Sequence, residues 1–524
     1  MRVIETADLG PNPALNPDET SWVYNGLDCC VTLEIRDKLI GYLEAEPDNV
    51  KETYATAMRK LAPVLYMATT GIRTDTPEKL RVLRELKKEL AELNINFDKI
   101  MNGVFGWTIN WRSPVQLSNF FYGVLGMRAV RKRNAKGQFN PTTNEKAMEK
   151  FCENHYVQVF ARYILAMRKV GKRISFLETE IDPDGYMRTS FNIAGTDTGR
   201  FSSAFSSFGT GTNLQNVEDL LRRPFIPDDG YIFVNVDLEQ ADARNVGARI
   251  YQIFYDESDK AADYLNACES GDLHTTVCSM AWQELSWPDP WILTDARAVA
   301  ESPFVGEWSY RDAAKRLGHG TNYFGTPPTM AVHTKTAVPI IENFQRRYFR
   351  AFPLIGNYEK KLDQQDWHSW VFNQLRDPGH LTNLFGRRRI FWDRYNDLNT
   401  LRAAIAYDPQ SSTGEFLDRG WLNLWDNMPE ARLHIPVHDS ILFSVPIEGH
   451  TELIPQALEL LKVTIELKGG RLYSIPLEAK VGFNWGSSNF DKKTNTWDNP
   501  YGLRKWTGVE EREPPKRSKS VFGI

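Results

Sequence analysis

The chain has 524 residues, 42% hydrophobic and 25% charged, which excludes a single small module and excludes disorder as the main state. With 63 Lys and Arg against 67 Asp and Glu the net charge is −4, so a polyanion must be bound by local basic patches and not by the field of the whole molecule. Five scattered cysteines, Cys29, Cys30, Cys152, Cys268 and Cys278, form no C-x-x-C pair, which argues against a disulfide framework or a Cys-rich zinc site and fits a reducing compartment. No apolar stretch reaches the roughly 18 residues of a membrane span, and Glu5 and Asp8 stand where a signal peptide needs an apolar run. A cytoplasmic protein without a membrane partner is expected.

In chain order, Thr76-Pro77 reads as the N-cap and first residue of a helix. Leu80, Leu83, Leu86, Leu90 and Leu93 follow at three- and four-residue steps. Half of a helical hairpin is expected, and a solvated helix packed on a neighbour fits the same residues. Arg128 to Arg133 and Arg168 to Arg173 are basic clusters that also fit solvated faces. Residues 192–216, rich in Gly, Ser, Thr, Asn and Phe, predict an extended, loop-rich segment. From Tyr231 to Asp237 the alternation of Ile232, Val234 and Val236 predicts a strand that delivers Asp237 to its end, and Val246, Ile250 and Ile253 predict a helix after it. Trp282, Trp287, Trp291 and Trp308 among three prolines predict an irregular, aromatic-stapled insertion. Leu433, Ile435 and Val437 alternate before His438-Asp439-Ser440, and Ile441, Phe443 and Val445 after it, predicting a β-hairpin with Asp439 at its tip. Pro436 donates no ladder hydrogen bond, so its strand must be an edge or carry a bulge. From Arg504 the chain turns polar, with Pro514, Pro515, Lys516, Arg517 and Lys519, and a disordered tail is expected.

Three constellations carry candidate chemistry. Asp237 and Asp439, if brought onto adjacent strands, can hold two divalent cations about 3.5 to 4 Å apart, the arrangement that serves phosphoryl transfer; strand-end aspartates are also common turn formers. Arg311, Lys315, His319 and Tyr323 recur every four residues, which keeps them within an arc of about 120° on one helix face. Stacked cations suit a triphosphate, and an ordinary basic face has the same pattern. Gly318 and Gly320 weaken that helix, and Pro327-Pro328 is expected to end it. Thr198-Gly199-Arg200 and Asn213-Leu214-Gln215-Asn216 supply donors that suit the acceptors every base pair presents in the minor groove; a polar loop is the bland alternative.

In their order along the chain these motifs, with Ser113-Pro114-x-Gln116-Leu117, Asp237-x-x-Gln240-x-Asp242-x-Arg244, Asp272-Leu273-His274, Arg402 with Gln410, and His438-Asp439-Ser440, resemble family A DNA polymerases from about Asn110 to about Trp485. The resemblance implies an α+β right-hand polymerase fold with an antiparallel-sheet palm, helical fingers and a helical thumb. Residues 51–190 would form the thumb, 191–271 and 381–490 the palm, 272–380 the fingers and 491–524 a polar C-terminal tail. It further implies two magnesium ions on Asp237, Asp439 and the Leu238 carbonyl. The incoming dNTP would meet His274, Arg311, Lys315, His319, Tyr323, Gln240 and Asp242, with Lys315 also protonating pyrophosphate. Primer-template DNA would be held by Arg200, Asn213, Gln215, Asn216, Arg402, Gln410 and His438. The implied reaction is attack of a primer 3′-hydroxyl on the α-phosphate of a dNTP.

The sequence departs from the family in several places. Asp242 stands where the family usually has Glu, whose side chain blocks a ribose 2′-hydroxyl, so looser sugar discrimination is expected. His319 in its H-G-x-N-Y setting resembles bacteriophage enzymes, and phage DNA replication is the implied context. Ser440 replaces a common Glu, and residues 204–212 lengthen the link between two motifs. Tyr24-x-x-x-Asp28 resembles the last motif of a 3′–5′ exonuclease domain, so residues 1–50 are expected to be its C-terminal remnant. No proofreading by this chain alone is expected, with an exonuclease polypeptide or a processivity factor as candidate partners. The rival readings are a single-subunit RNA polymerase or relaxed-sugar polymerase and a non-catalytic DNA-binding replisome component.

Overall fold

A computed structural model describes residues 16–134, 137–306, 308–491 and 496–511. The described residues fall into two compact units: one from residues 16–61, 242–415 and 467–471, the other from residues 62–241, 416–466 and 472–511.

The second unit is built on a five-stranded antiparallel sheet. Its central strand, Tyr231–Leu238, pairs on one side with Ser440–Pro446 and on the other with Leu477–Gly482. Arg432–Val437 and Arg504–Lys505 are the edges. Ile232, Val234 and Val236 are buried as the alternation predicts, and Phe233 is buried on the opposite face, so both faces of this strand are covered. The expected hairpin forms, with Arg432–Val437 and Ser440–Pro446 joined by the two-residue turn His438-Asp439. Pro436 lies on an edge strand, and the register shifts between Leu433 and Ile435. The strand therefore meets both conditions that a proline imposes.

Helix Thr76–Phe105 buries Val82, Leu86, Phe97 and Met101. It packs on helix Gln158–Leu177, and Lys79 Nζ reaches the Thr179 carbonyl at 2.7 Å. Its N-cap is Asp75, whose side chain accepts from the Glu78 N–H at 3.0 Å, so the expected cap Thr76 lies one residue inside. Asp caps as well as Thr, and the following proline fits either register.

Two other expectations change in this unit. Within the predicted loop 192–216, Ser202–Phe205 pairs with Thr189–Asn192 as a short hairpin; its four-residue strands are too short to carry a legible alternation. The expected tail is partly sheet. Thr496–Trp497 pairs with Phe490–Asp491, and Arg504–Lys505 pairs with Val481 and Lys480. Edge strands tolerate polar residues because only one side is bonded. Pro514, Pro515, Lys516, Arg517 and Lys519 lie outside the described residues.

The first unit is mostly helical. Tyr310–Asn322 opens on a capping box in which Ser309 and Asp312 satisfy each other's backbone N–H. It packs against Leu273–Ala281 and Val338–Ala351. The helix ends at Asn322, and Pro327 begins the next helix, Pro327–Thr334, instead of ending this one. Pro at a first helical turn lacks only an N–H that would have no partner there. The Trp-rich stretch is more regular than expected: it contains helix Leu293–Ala300 and a small hairpin, Pro303–Val305 with Trp308–Ser309. Trp282 is buried against Phe304, Tyr310 and Phe344. Helix Pro17–Glu44 leaves Trp22, Leu39 and Tyr42 exposed, and Tyr24 and Asp28 lie one turn apart on it. Among the described residues no helix is long and apolar enough to cross a membrane.

Candidate active site

In the second unit, strand pairing does the assembly. Asp237 lies opposite Ser440 on one neighbouring strand and Glu478 on the other, so these three side chains share a face. The turn then sets Asp439 beside the strand end, and the Leu238 N–H donates to the Asp439 carbonyl at 3.1 Å. Burial, with the neighbouring Asp439 carboxylate adding to it, pushes the Asp237 carboxyl up to about 6 against the pull of Lys480. Lys480 and Lys505 pair with Glu478 at 3.8 and 3.1 Å. Asp439 Oδ1 accepts from Arg200 Nη2 at 2.9 Å. A guanidinium thus supplies the positive charge that paired carboxylates need.

Two flanking elements hold the hairpin tip. Gln215 Nε2 donates to the Pro436 carbonyl at 2.8 Å, and the Asn213 side chain accepts from the Gln215 N–H at 3.0 Å and from Ser203 Oγ at 2.7 Å. Both residues, expected to face DNA, brace the loop against that hairpin, while Asn216 and His438 are exposed. Gln240 takes a left-handed backbone, φ 54°.

In the first unit, Asp272 caps helix Leu273–Ala281 through the His274 N–H at 3.2 Å. The same carboxylate accepts from Arg311 Nε at 2.7 Å, Arg311 Nη2 at 3.0 Å and Thr275 Oγ1 at 2.8 Å. Burial works to raise Asp272, yet the bonds from Arg311 and Thr275 hold it down at about 2. His274 is pushed down to about 4 by burial and by Arg311, with Asp272 pulling the other way, so the imidazole is neutral near pH 7. Lys315 and His319 are exposed on the same helix face as Arg311. Tyr323 caps that helix, its ring 4.5 Å from that of His319. The four-residue stripe therefore runs as expected up to its last member.

Helix Leu398–Asn427 carries Arg402 and Gln410, both half-buried. It also carries Thr413, whose hydroxyl reaches Asp242 Oδ1 at 3.1 Å. Sequence reasoning passed over Asp272 as the partner of Arg311, and Glu478 and Lys480 as neighbours of Asp237. The first was quoted within a motif; the other two depend on strand register, which leaves no local signal.

The donor set beside Asp237 fits a hard dication. It is oxygen only, its two carboxylates repel each other, and the Asp237 carboxyl is partly desolvated. Among the described residues no group of three or more His, Cys, Asp or Glu is arranged to hold a metal ion. Such a cation therefore needs oxygens from the backbone, water or a substrate to complete its shell.

The architecture is the right-hand α+β polymerase fold, with the antiparallel sheet as its palm. The polymerase domain of Pol1 from M. smegmatis, solved in complex with DNA primer-template and dNTP, matches 81% of this chain and 70% of its own with a TM-score of 0.61 and 22% identity. Residues 80–279 match the family described as DNA polymerase family A. The thermostable DNA polymerase I of Thermus aquaticus is 26% identical over 467 residues, 85% of this chain and 49% of the relative. DNA polymerase I of Bacillus subtilis is 24% identical, covering 88% of this chain and 48% of the relative. The chain spans about half the length of the curated relatives it matches.

Proposed function

We propose that this chain is a template-directed, primer-dependent DNA polymerase that adds dNTPs to a primer 3′-hydroxyl. The observation that carries the reading is the meeting of Asp237, at the end of the central strand, with Asp439, at the tip of the paired hairpin. Two magnesium ions held by Asp237, Asp439 and the Leu238 carbonyl would supply charge neutralisation of the attacking and leaving oxygens. Arg311 uses two of its five N–H donors on Asp272, which leaves three for a phosphate. Asp272 thereby orients the guanidinium before any nucleotide arrives, and Lys315 stands one turn along as a point charge and proton donor for pyrophosphate. Neutral His274 donates one hydrogen bond without adding charge. Arg200, Arg402 and Gln410 would contact the primer and template near the nascent pair, and His438 would support the primer terminus. Arg200 leaves Asp439 when it makes that contact.

The domain boundaries drawn above and the bacteriophage setting belong to the same proposal. Primer extension with magnesium tests the reading. Wild type should extend a primed template with dNTPs, and Asp237→Ala and Asp439→Ala should retain their fold and lose extension. Unprimed synthesis from rNTPs would establish the RNA polymerase reading instead, and binding of DNA without either synthesis the scaffold reading.

A further inference from the structure

A buried hydroxyl holds the carboxylate of Asp242, and its single proton has only one good destination. Asp242 and Asn245 lie one turn apart on helix Ala241–Phe254, while Pro409 and Thr413 lie one turn apart on Leu398–Asn427. The Thr413 hydroxyl has three neighbours: Asn245 Nδ2 at 2.9 Å, the Pro409 carbonyl at 2.9 Å and Asp242 Oδ1 at 3.1 Å. Thr413 and Asn245 are 0% and 1% exposed, so water does not compete for these bonds.

A hydroxyl has one proton and two acceptor sites, whereas an amide nitrogen only donates. Thr413 Oγ1 therefore accepts from Asn245, and its proton is left to choose between Pro409 and Asp242. Asn245 Nδ2 also lies 3.3 Å from the Pro409 carbonyl. That carbonyl, the usual target of a helical threonine, therefore has the Asn245 amide as a second, longer donor. A carboxylate is the stronger acceptor, and bonds to it are roughly twice as strong as neutral ones. The proton goes to Asp242, and the carboxylate is tied at one oxygen by a partner that cannot itself move.

On this arrangement, and resting on the polymerase reading above, we propose that Thr413, oriented by Asn245, is a specificity-determining positioning residue. It fixes where the short Asp242 side chain sits and so sets discrimination between deoxyribose and ribose in the incoming nucleotide. A carboxylate one methylene shorter than Glu covers less of the sugar, so its rotamer decides what it excludes. Without the Thr413 hydroxyl that oxygen loses its immobile partner, and the barrier to a 2′-hydroxyl drops.

The test is single-turnover extension of a primed template with dCTP and with CTP opposite template guanine, read as the ratio of the two kcat/KM values. Thr413→Val, which keeps the volume and removes the hydroxyl, should lower the deoxy-to-ribo ratio by about five- to tenfold, about 1 to 1.4 kcal/mol of transition-state discrimination. Thr413→Ser should restore the ratio. Asn245→Ala should lower it less, since the hydroxyl proton then divides between Pro409 and Asp242. Thr413→Val added to Asp242→Ala should leave the ratio of that variant unchanged, because the positioned group is already gone. A ratio unchanged in both Thr413→Val and Asn245→Ala, with both sugars slowed equally, would overturn the inference and assign the network a structural role only. A ratio that falls as much in the Asp242→Ala background would overturn it too. If wild type extends with neither sugar, the polymerase reading fails, and the two failures are thereby told apart.

Discussion

Replacing Asp272 by Asn removes one charge and changes little else in shape. Asn caps helices as well as Asp, but it has one acceptor oxygen where the carboxylate has two. Kept toward the His274 N–H, that oxygen still accepts from Arg311 Nη2 at 3.0 Å without charge assistance, while the bond from Arg311 Nε at 2.7 Å is lost because its donor now faces an amide NH2. Hydrogen bonds to a charged partner contribute about 1.5 to 3 kcal/mol each, against about 1 for neutral ones. The Asp272 side chain is 8% exposed and that of Arg311 21%. The guanidinium can therefore recover some hydration, and the cost stays below the 3 to 5 kcal/mol or so of an entirely buried broken pair. About 2 kcal/mol is expected. For a cooperative unit of roughly 150–250 residues that lowers Tm by about 4 to 8 °C, measured by circular dichroism on the whole chain.

The pH dependence of that loss has a definite sign. Asp272 is held at about 2 in the fold, below the ordinary value of about 3.9, so the unfolded chain binds the extra proton. The stabilisation is fully present above about pH 4 and fades as pH falls toward 2. The difference in Tm between wild type and Asp272→Asn should hold constant from pH 8 to 5 and narrow only below about 4. Nucleotide binding gives the second readout. An Arg311 no longer fixed in orientation should raise KM for dNTP about tenfold, the loss of about 1.4 kcal/mol, with the smaller effect on kcat. A Tm unchanged within about 1 °C together with an unchanged KM would show that Asp272 neither stabilises nor orients Arg311, and the reasoning would fall.

Asp242→Glu should incorporate single ribonucleotides less readily than wild type in a primed extension assay, and equal ratios would dispose of the looser-gate expectation. Arg200→Ala removes the guanidinium from Asp439; because both side chains are about a quarter to a third exposed, stability should change by less than about 1 kcal/mol. Manganese binding without DNA, followed by electron paramagnetic resonance, should nevertheless tighten severalfold, while weaker binding would contradict the competition between Arg200 and the cation. Burial pushes His434 down to about 4, so its unfolded form binds the extra proton between about pH 6.5 and 4 and wild-type stability should fall across that window; in His434→Gln the slope of Tm against pH should be shallower there, and an equal slope would show that His434 is not buried neutral.

The parts of the fold that were legible are those whose signal is local. Alternation around Ile232, Val234 and Val236, and again around Leu433 to Val445, reports strands because a period of two survives any tertiary context that buries one face. The stripe from Arg311 to His319 reports a helix face by the same logic. Beyond the 433–445 hairpin the pairing of the strands was not legible, and it is what makes the site: Glu478 meets Asp237 only because Leu477–Gly482 lies against the central strand in that register. Asp272 and Arg311 likewise meet through helix packing across 39 residues. Arg504–Lys505 reads as polar tail because an edge strand of two residues buries too little to leave a pattern.

Backbone strain adds a physical signature that the motifs alone lack. Five described non-glycine residues have positive φ: Gln240 at 54°, Phe324 at 60°, Lys335 at 50°, Lys360 at 56° and His438 at 53°. Three of them adjoin motif residues: Gln240 lies between Asp237 and Asp242, His438 precedes Asp439, and Phe324 follows Tyr323. A left-handed residue with a Cβ costs about 1 kcal/mol or more, so each turn must be held by its surroundings. At Phe324 the holder is visible: Lys360 Nζ donates to the carbonyls of Phe324 and Gly325 at 2.8 and 2.9 Å and lies 4.1 Å from the Phe324 ring centroid. Burial pushes this lysine down to about 8, where it remains mostly protonated near neutral pH. At His438 the holders are the strand ladder on both sides and the Leu238 N–H bond to the Asp439 carbonyl. His438→Gly should then stabilise the folded chain by a few tenths to 1 kcal/mol if the backbone alone matters, because glycine adopts this φ without penalty. It should at the same time slow primer extension, since the side chain proposed to support the primer terminus is lost. A variant both less stable and fully active would show that the turn is unstrained and the imidazole idle.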